Sequence, residues 1–213
     1  LIILLIGATA ILSEIAEGIV DSESIVKIDQ VFSQYLFSHR SVSLAKTLFI
    51  ITQAAGFYAG IIVPAIFSVY MWFTRRKAYA VTMWIVLIGI GASIYFGKAV
   101  FHRARPADIG YYIEKNYSFP SGHSTTAMAM YGFLIYCLMR EQYKRSAKII
   151  IAIAGILLIL TTGFSRIYLG VHFLSDVLGG FLLGIIWVIF GISLVEWNKY
   201  RRLTHHGEAN LKP

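Results

Sequence analysis

The sequence predicts an all-α, polytopic membrane protein with six transmembrane helices and a short amphipathic connector after the first. Three observations carry that expectation. Hydrophobic residues make up 57% of the 213 positions, mean hydropathy is +0.68, and charged residues are only 14%, against about 25% in an average soluble domain. The apolar runs continue for about 18 residues or more, roughly the length that crosses a bilayer as a helix. They also lack the strict alternation of a membrane β-strand.

The first span is expected over residues 1–20. It opens inside an apolar run without a Met, so residues are expected to precede Leu1. It has neither the basic flank nor the small-residue cleavage site of a secretory signal. Residues 21–45 form the connector, in which Ile25, Ile28, Phe32, Tyr35 and Leu36 recur at helical spacing, as in a helix lying along the membrane surface. The second span is expected over 48–73, kinked at Pro64 with help from Gly56 and Gly60. The remaining four are expected over 78–98, 122–139, 147–165 and 172–195. No linker, repeat or low-complexity stretch divides the chain, which reads as a single domain over 1–213. The lone Cys137 excludes an intramolecular disulfide and reads as a packing residue.

A net charge of +8 invites a nucleic-acid reading, but the basic residues cluster at the ends of the apolar runs. Arg75, Arg76, Lys77, Arg140, Lys144, Arg145, Lys148, Lys199, Arg201, Arg202 and Lys212 fall on one side of a six-span topology, eleven of the 19. The other eight are Lys27, Arg40, Lys46, Lys98, Arg103, Arg105, Lys115 and Arg166. The eleven-residue side is expected to face the cytoplasm, together with both termini, in a multi-pass protein of the plasma membrane.

Three short segments then share the outer side: Lys98 through Arg105-Pro106, Pro120-Ser121-Gly122-His123, and Ser165-Arg166 followed by His172 and Asp176. His172 and Asp176 are four apart, one turn apart on a single helix face. A carboxylate there fixes the imidazole tautomer and stabilises the charge that grows as the ring attacks, so His172 reads as a nucleophile and Asp176 as its orienter. Taken alone, the pair reads better as a buried brace, but ionisable groups inside a span are costly and usually functional. His123 follows Ser121-Gly122 at a helix N-terminus, where free N–H groups and the helix dipole favour an anion. Gly122 lets the backbone approach an oxygen closely. Ser121 suits a helix cap as well as a phosphate contact, and His123 suits a general acid. Lys98, Arg105 and Arg166 supply three cations, enough to neutralise a phosphoryl group without a metal. Singly, Lys98 and Arg103 read as snorkelling residues, and Pro106 as a turn-fixer. Glu14 and Glu17 mark the interface, His39 and His102 have no sequence partner, and His205 and His206 receive no role. No Walker A loop, HExxH or CxxC pair is present, and no metal or cofactor is expected.

The patterns K-x6-R-P, P-S-G-H and S-R-x5-H-x3-D, with no departure at any motif position, resemble the type 2 phosphatidic acid phosphatase family of membrane lipid phosphatases. The resemblance implies a six-helix core and an outward-facing site. It implies metal-independent dephosphorylation through a phosphohistidine on His172, with His123 as the acid and Lys98, Arg105, Ser121, Gly122 and Arg166 holding the phosphate. Small size and short loops resemble the bacterial branch. The substrates implied are phosphatidylglycerol phosphate first, undecaprenyl pyrophosphate second, and phosphatidic acid weakly. No nucleic acid and no obligate protein partner is expected. Two titrating histidines, one neutral and one protonated, imply a bell-shaped rate profile.

Other readings compete. Vanadium-dependent haloperoxidases have a similar pocket, but they are soluble and larger. A phosphate or lipid carrier would use His and Asp to relay protons, yet the chain has no internal repeat and its cations lie at one surface. A homologue that only binds is disfavoured by the intact motifs.

Overall fold

A computed structural model describes residues 1–21, 24–141 and 143–209, with side chains through Arg201. Lys212 and residues 22–23 of the expected connector lie outside them. The described residues form eight helices and no strands: α1 (Ile2–Val20), α2 (Ser24–Ser38), α3 (Val42–Thr52), α4 (Ala59–Phe73), α5 (Lys77–Phe101), α6 (Gly122–Met139), α7 (Arg145–Tyr168) and α8 (Leu174–Ala209). Among them α1, α5, α7 and α8 are each long and apolar enough to cross a membrane. The bent pair Val42–Ala55 and Ala59–Phe73 makes a fifth candidate.

The bend corrects one expectation. The two halves of that pair meet at 48°, and the break lies at a 3-10 turn, Gln53–Ala55, and Gly56, not at Pro64. Pro64 sits inside an unbroken α4. Its missing N–H deprives the Gly60 carbonyl of its usual intrahelical donor near the start of the helix, and the helix continues past it.

Helix α6 is the axle of the bundle. Ser124, Thr125, Ala127, Ala129, Met130, Phe133 and Cys137 are all buried, and they point to every side of the helix. Its lower half enters the main core with Phe67, Met71, Met83 and Val195, where Cys137 packs as expected. Its upper half lies against α8 across small residues. A Cβ on Gly180 would stand 2.8 Å from the Ser121 carbonyl oxygen, so the two backbones meet only because that side chain is absent.

Helix α2 is amphipathic in a sense the apolar stripe does not reveal. Its fully buried residues are Asp29 and Ser33, while Ile28, Val31 and Tyr35 face outward. Residues 102–121 fold back over the outer end of the bundle. Arg40 donates to the Ile109 carbonyl at 2.7 Å, and the Tyr111 N–H donates to Leu169 at 2.8 Å. At the opposite end, Arg76 pairs with Glu141 at 2.6 Å and Arg140 with Glu196 at 2.5 Å.

Candidate active site

The local sequence places His172. α7 ends at Tyr168, and Gly170 follows in the left-handed region at φ 68°, a conformation that glycine adopts without a steric penalty. The chain turns there, and the N–H groups of Val171 and His172 both donate to the Arg166 carbonyl at 3.2 Å. Arg166, at the end of one helix, and His172, just before the next, are thereby held side by side. Asp176 follows in the first turn of α8 and accepts from the Phe173 N–H at 2.9 Å.

His172 is 2% exposed. Its Nδ1 lies 3.4 Å from Asp176 Oδ2 and its Nε2 lies 3.1 Å from Arg105 Nη1. A guanidinium only donates, so Nε2 must be the accepting nitrogen and Nδ1 carries the proton toward Asp176. The free lone pair of the ring thus points at the cations. Burial pulls the imidazole down to about 4. Asp176 opposes that shift, and the charges of Arg166 and Arg105 add to it. The ring is neutral at ordinary pH.

Around it stand the three cations. Arg105 donates to Asn116 and Val171 carbonyls at 2.6 Å, and it shares the Tyr117 carbonyl with Lys98 Nζ, which reaches it at 2.6 Å. Arg166 is completely buried. Its Nη2 meets Glu114 Oε1 at 3.1 Å, but its Nε and Nη1 have no hydrogen-bond partner among the described residues. Orphaned donors on a buried cation are costly, and a bound anion would relieve that cost.

The turn at 120–122 caps α6. Ser121 Oγ accepts from the Ser124 N–H at 3.4 Å, and the Ser121 N–H donates to the Asp176 carbonyl at 3.0 Å. The capping role expected of Ser121 is therefore present, and the same residue binds the turn to α8. His123 makes no hydrogen bond among the described residues. Its ring feels the charges of Arg166, Lys98 and Arg105, and with Gly122 it lines an apolar groove of about 400 Å³. Gly56, Ile61, Leu87 and Ile94 line the rest. The predicted residues thus gather at one place, His123 at its apolar edge.

Two contributors escaped sequence reasoning. Glu114 bridges Arg166 and, at 3.7 Å, Arg105. Burial alone would raise it, but the two guanidiniums hold it below the usual carboxylate range. Asp29 is the other. It pairs at 2.6 Å with Arg103, whose second arm reaches Asp176 at 2.6 Å. Arg103 is buried between two carboxylates and does not snorkel. The charge balance of the motif cations offered one clue, since Arg103 is the extra cation in its segment. Among the described residues no cluster of three or more His, Cys, Asp or Glu is arranged to hold a metal ion.

Known proteins share this architecture. The model of a family described as the PAP2 superfamily matches residues 78–200. Phosphatidylglycerophosphatase B of Bacillus subtilis (strain 168) is 42% identical over 91 residues, which are 42% of this chain and 44% of that relative's length. The crystal structure of a transmembrane PAP2 type phosphatidylglycerolphosphate phosphatase from Bacillus subtilis superposes with a TM-score of 0.85 at 25% identity, covering 90% of this chain and 96% of that one. Aquifex aeolicus LpxE shares the fold, with a TM-score of 0.59 at 23% identity over 78% of this chain and 95% of its own.

Proposed function

This chain belongs to the PAP2 superfamily, and from that premise we propose that it is an integral membrane lipid phosphatase that removes the terminal phosphate of a lipid head group, with phosphatidylglycerol phosphate as the preferred substrate. The observation that carries the reading is Arg166. A completely buried guanidinium with two unpartnered donors, beside Arg105, Lys98 and the lone pair of a neutral histidine, is a site built for an anion that can be attacked.

The reaction proceeds in two displacements. The phosphate lies among Lys98, Arg105, Arg166 and the Ser121-Gly122 turn. His172 Nε2 attacks phosphorus while the bond to the leaving oxygen breaks, and His123 gives that oxygen its proton. Asp176 stabilises the positive charge that grows on His172. Water then attacks the phosphohistidine, His123 takes a proton from it, and inorganic phosphate leaves. Charge on the transferring group is spread over three fixed cations, so this chemistry proceeds without a metal.

The tail would lie in the apolar groove that ends at His123. Six spans complete the picture: α1, the bent α3–α4 pair, α5, α6, α7 and α8, in one domain of a bacterial plasma membrane. α6 is the polar exception, shielded by its neighbours, and the excess of basic residues at its C-terminal end supports a site on the extracytoplasmic side. The test is phosphate release by detergent-purified protein, with EDTA throughout, from phosphatidylglycerol phosphate, undecaprenyl pyrophosphate, phosphatidic acid and a water-soluble phosphomonoester. EDTA-resistant release that His172→Ala abolishes, fastest on phosphatidylglycerol phosphate, is expected. Full turnover by that variant would refute the mechanism, and a different ranking would replace the substrate.

A further inference from the structure

Asp176 has two oxygens and four partners. Oδ1 accepts from Arg103 Nη1 at 2.6 Å, with Ser118 Oγ at 3.5 Å. Oδ2 accepts from the Phe173 N–H and faces His172 Nδ1. The division matters, because a carboxylate free to rotate would offer His172 either oxygen or neither at good geometry. What enforces it is Arg103. Its guanidinium is a flat fork, packed 4.6 Å from the Phe173 ring centroid, with Nη1 on Asp176 and on Ser175 Oγ at 2.7 Å and Nη2 on Asp29 Oδ2 at 2.6 Å.

Asp29 comes from α2 and is 1% exposed. Besides Arg103 it accepts from the Ser175 N–H at 2.9 Å and from the Ser175 hydroxyl. It therefore holds the first turn of α8 from a helix 146 residues away in sequence. It also occupies the arm of Arg103 that would otherwise be free. A guanidinium with both arms available pairs with one carboxylate in a two-bond fork. On Asp176 that fork would take Oδ2 as well and leave His172 Nδ1 without its acceptor.

We infer that Asp29 and Arg103 are positioning residues for the phosphoryl transfer: Asp29 keeps Arg103 on a single oxygen of Asp176, and Arg103 fixes the Asp176 rotamer that aims His172 Nε2 at phosphorus. Neither touches the phosphate. The inference rests on the phosphatase reading. It also ties the chemistry to α2, whose opposite face, Ile28, Val31 and Tyr35, is turned outward.

The experiment compares the full-length wild type with Asp29→Asn, Arg103→Lys and the double variant in detergent. It measures kcat and KM on phosphatidylglycerol phosphate, inhibition by inorganic phosphate, and thermal unfolding. Asn keeps the shape of Asp29, and Lys keeps the charge of Arg103 without the fork. Thermal unfolding checks that each variant is folded at the assay temperature, and kinetics are compared only below its melting temperature. Each single variant is expected to lower kcat by about 10- to 100-fold, the scale of a misaimed reacting group. KM and the phosphate inhibition constant stay within about threefold. The double variant is expected to be no slower than Arg103→Lys, because Asp29 acts through Arg103. Unchanged kcat in both single variants, a rise in KM and the inhibition constant matching the fall in kcat, or losses that multiply in the double variant would each overturn it. A wild type that releases phosphate from none of the four substrates overturns the phosphatase reading and this one with it. An active wild type with unimpaired variants overturns this one alone.

Discussion

Replacing Arg166 with Met separates what that residue does for the reaction from what it does for the fold. Met is unbranched and of comparable length but carries no donor. Among the described residues, Nε and Nη1 of Arg166 are buried and unpartnered, and on the proposed reading they are the donors left for the bound phosphate. A hydrogen bond to a charged group contributes about 1.5–3 kcal/mol, so two of them amount to about 3–6 kcal/mol. At about 1.4 kcal/mol per decade, kcat/KM is expected to fall roughly 100- to 10,000-fold. Stability should move the other way or not at all. Each buried, unsatisfied donor costs about 1–3 kcal/mol, and Met removes both of them. The one bond lost with Nη2 is to Glu114, which keeps Arg105 at 3.7 Å. Kinetics by phosphate release and thermal unfolding with and without inorganic phosphate read the two effects. Wild type should be stabilised by phosphate and the Met variant much less. A loss in kcat/KM under tenfold, or a variant whose melting temperature drops while phosphate still stabilises it as in wild type, would refute the assignment of those donors to the anion.

Two further outcomes follow from the same geometry. His172 must be neutral to attack, and a folded-state value lowered to about 4 means that the neutral form survives acidification, being lost only as pH falls through that value. After correction for ionisation of the substrate phosphate near pH 6, kcat/KM should therefore not fall on acidification from neutrality to about pH 5. An enzyme-borne loss on acidification with a midpoint near 6.5, the ordinary histidine value, would contradict the burial argument, whereas a loss on the alkaline side reports the proton donor His123. Gly180→Ala should push α8 away from the turn at Ser121, where the added Cβ would stand 2.8 Å from the Ser121 oxygen and 3.1 Å from Ser124 Cβ. Overpacking of this kind costs about 1–3 kcal/mol, and kcat should fall at least tenfold. Gly7→Ala in α1, whose Cβ meets nothing within 4 Å, serves as the neutral control, and equal behaviour of the two variants would count against the close approach.

The sequence was most informative where chemistry and spacing coincide. The His172–Asp176 turn, the capped start of α6 and the three motif cations could be recognised because each is set by residues close together in the chain. Asp29 and Glu114 could not, since each acquires meaning only from a partner far away: Asp29 from Ser175 and Arg103, Glu114 from Arg166. Arg103 was misread for the same reason. A lone arginine beside an apolar run looks like an interfacial residue until a buried carboxylate is found on each side of it. The bend in the second span was assigned to Pro64, with Gly56 and Gly60 only assisting. The chain breaks at Gly56 itself, beside the His123 ring, where an added Cβ would lie 3.5 Å from Nε2. Five candidate spans emerge by length and hydropathy, and α6 fails that measure because its first turn, Gly122-His123-Ser124-Thr125-Thr126, carries the polar groups of the site.

That failure has a consequence for how the protein is made. A helix with so polar a leading turn gains little from lipid by itself, and the surfaces that shelter it belong largely to α7 and α8, which follow it from the ribosome. During synthesis α6 has no settled home until its successors arrive, and the last of them also brings Asp176. Insertion and assembly of the site are thus coupled: the polar groups of α6 meet Asp176 only once α8 has locked the axle in place.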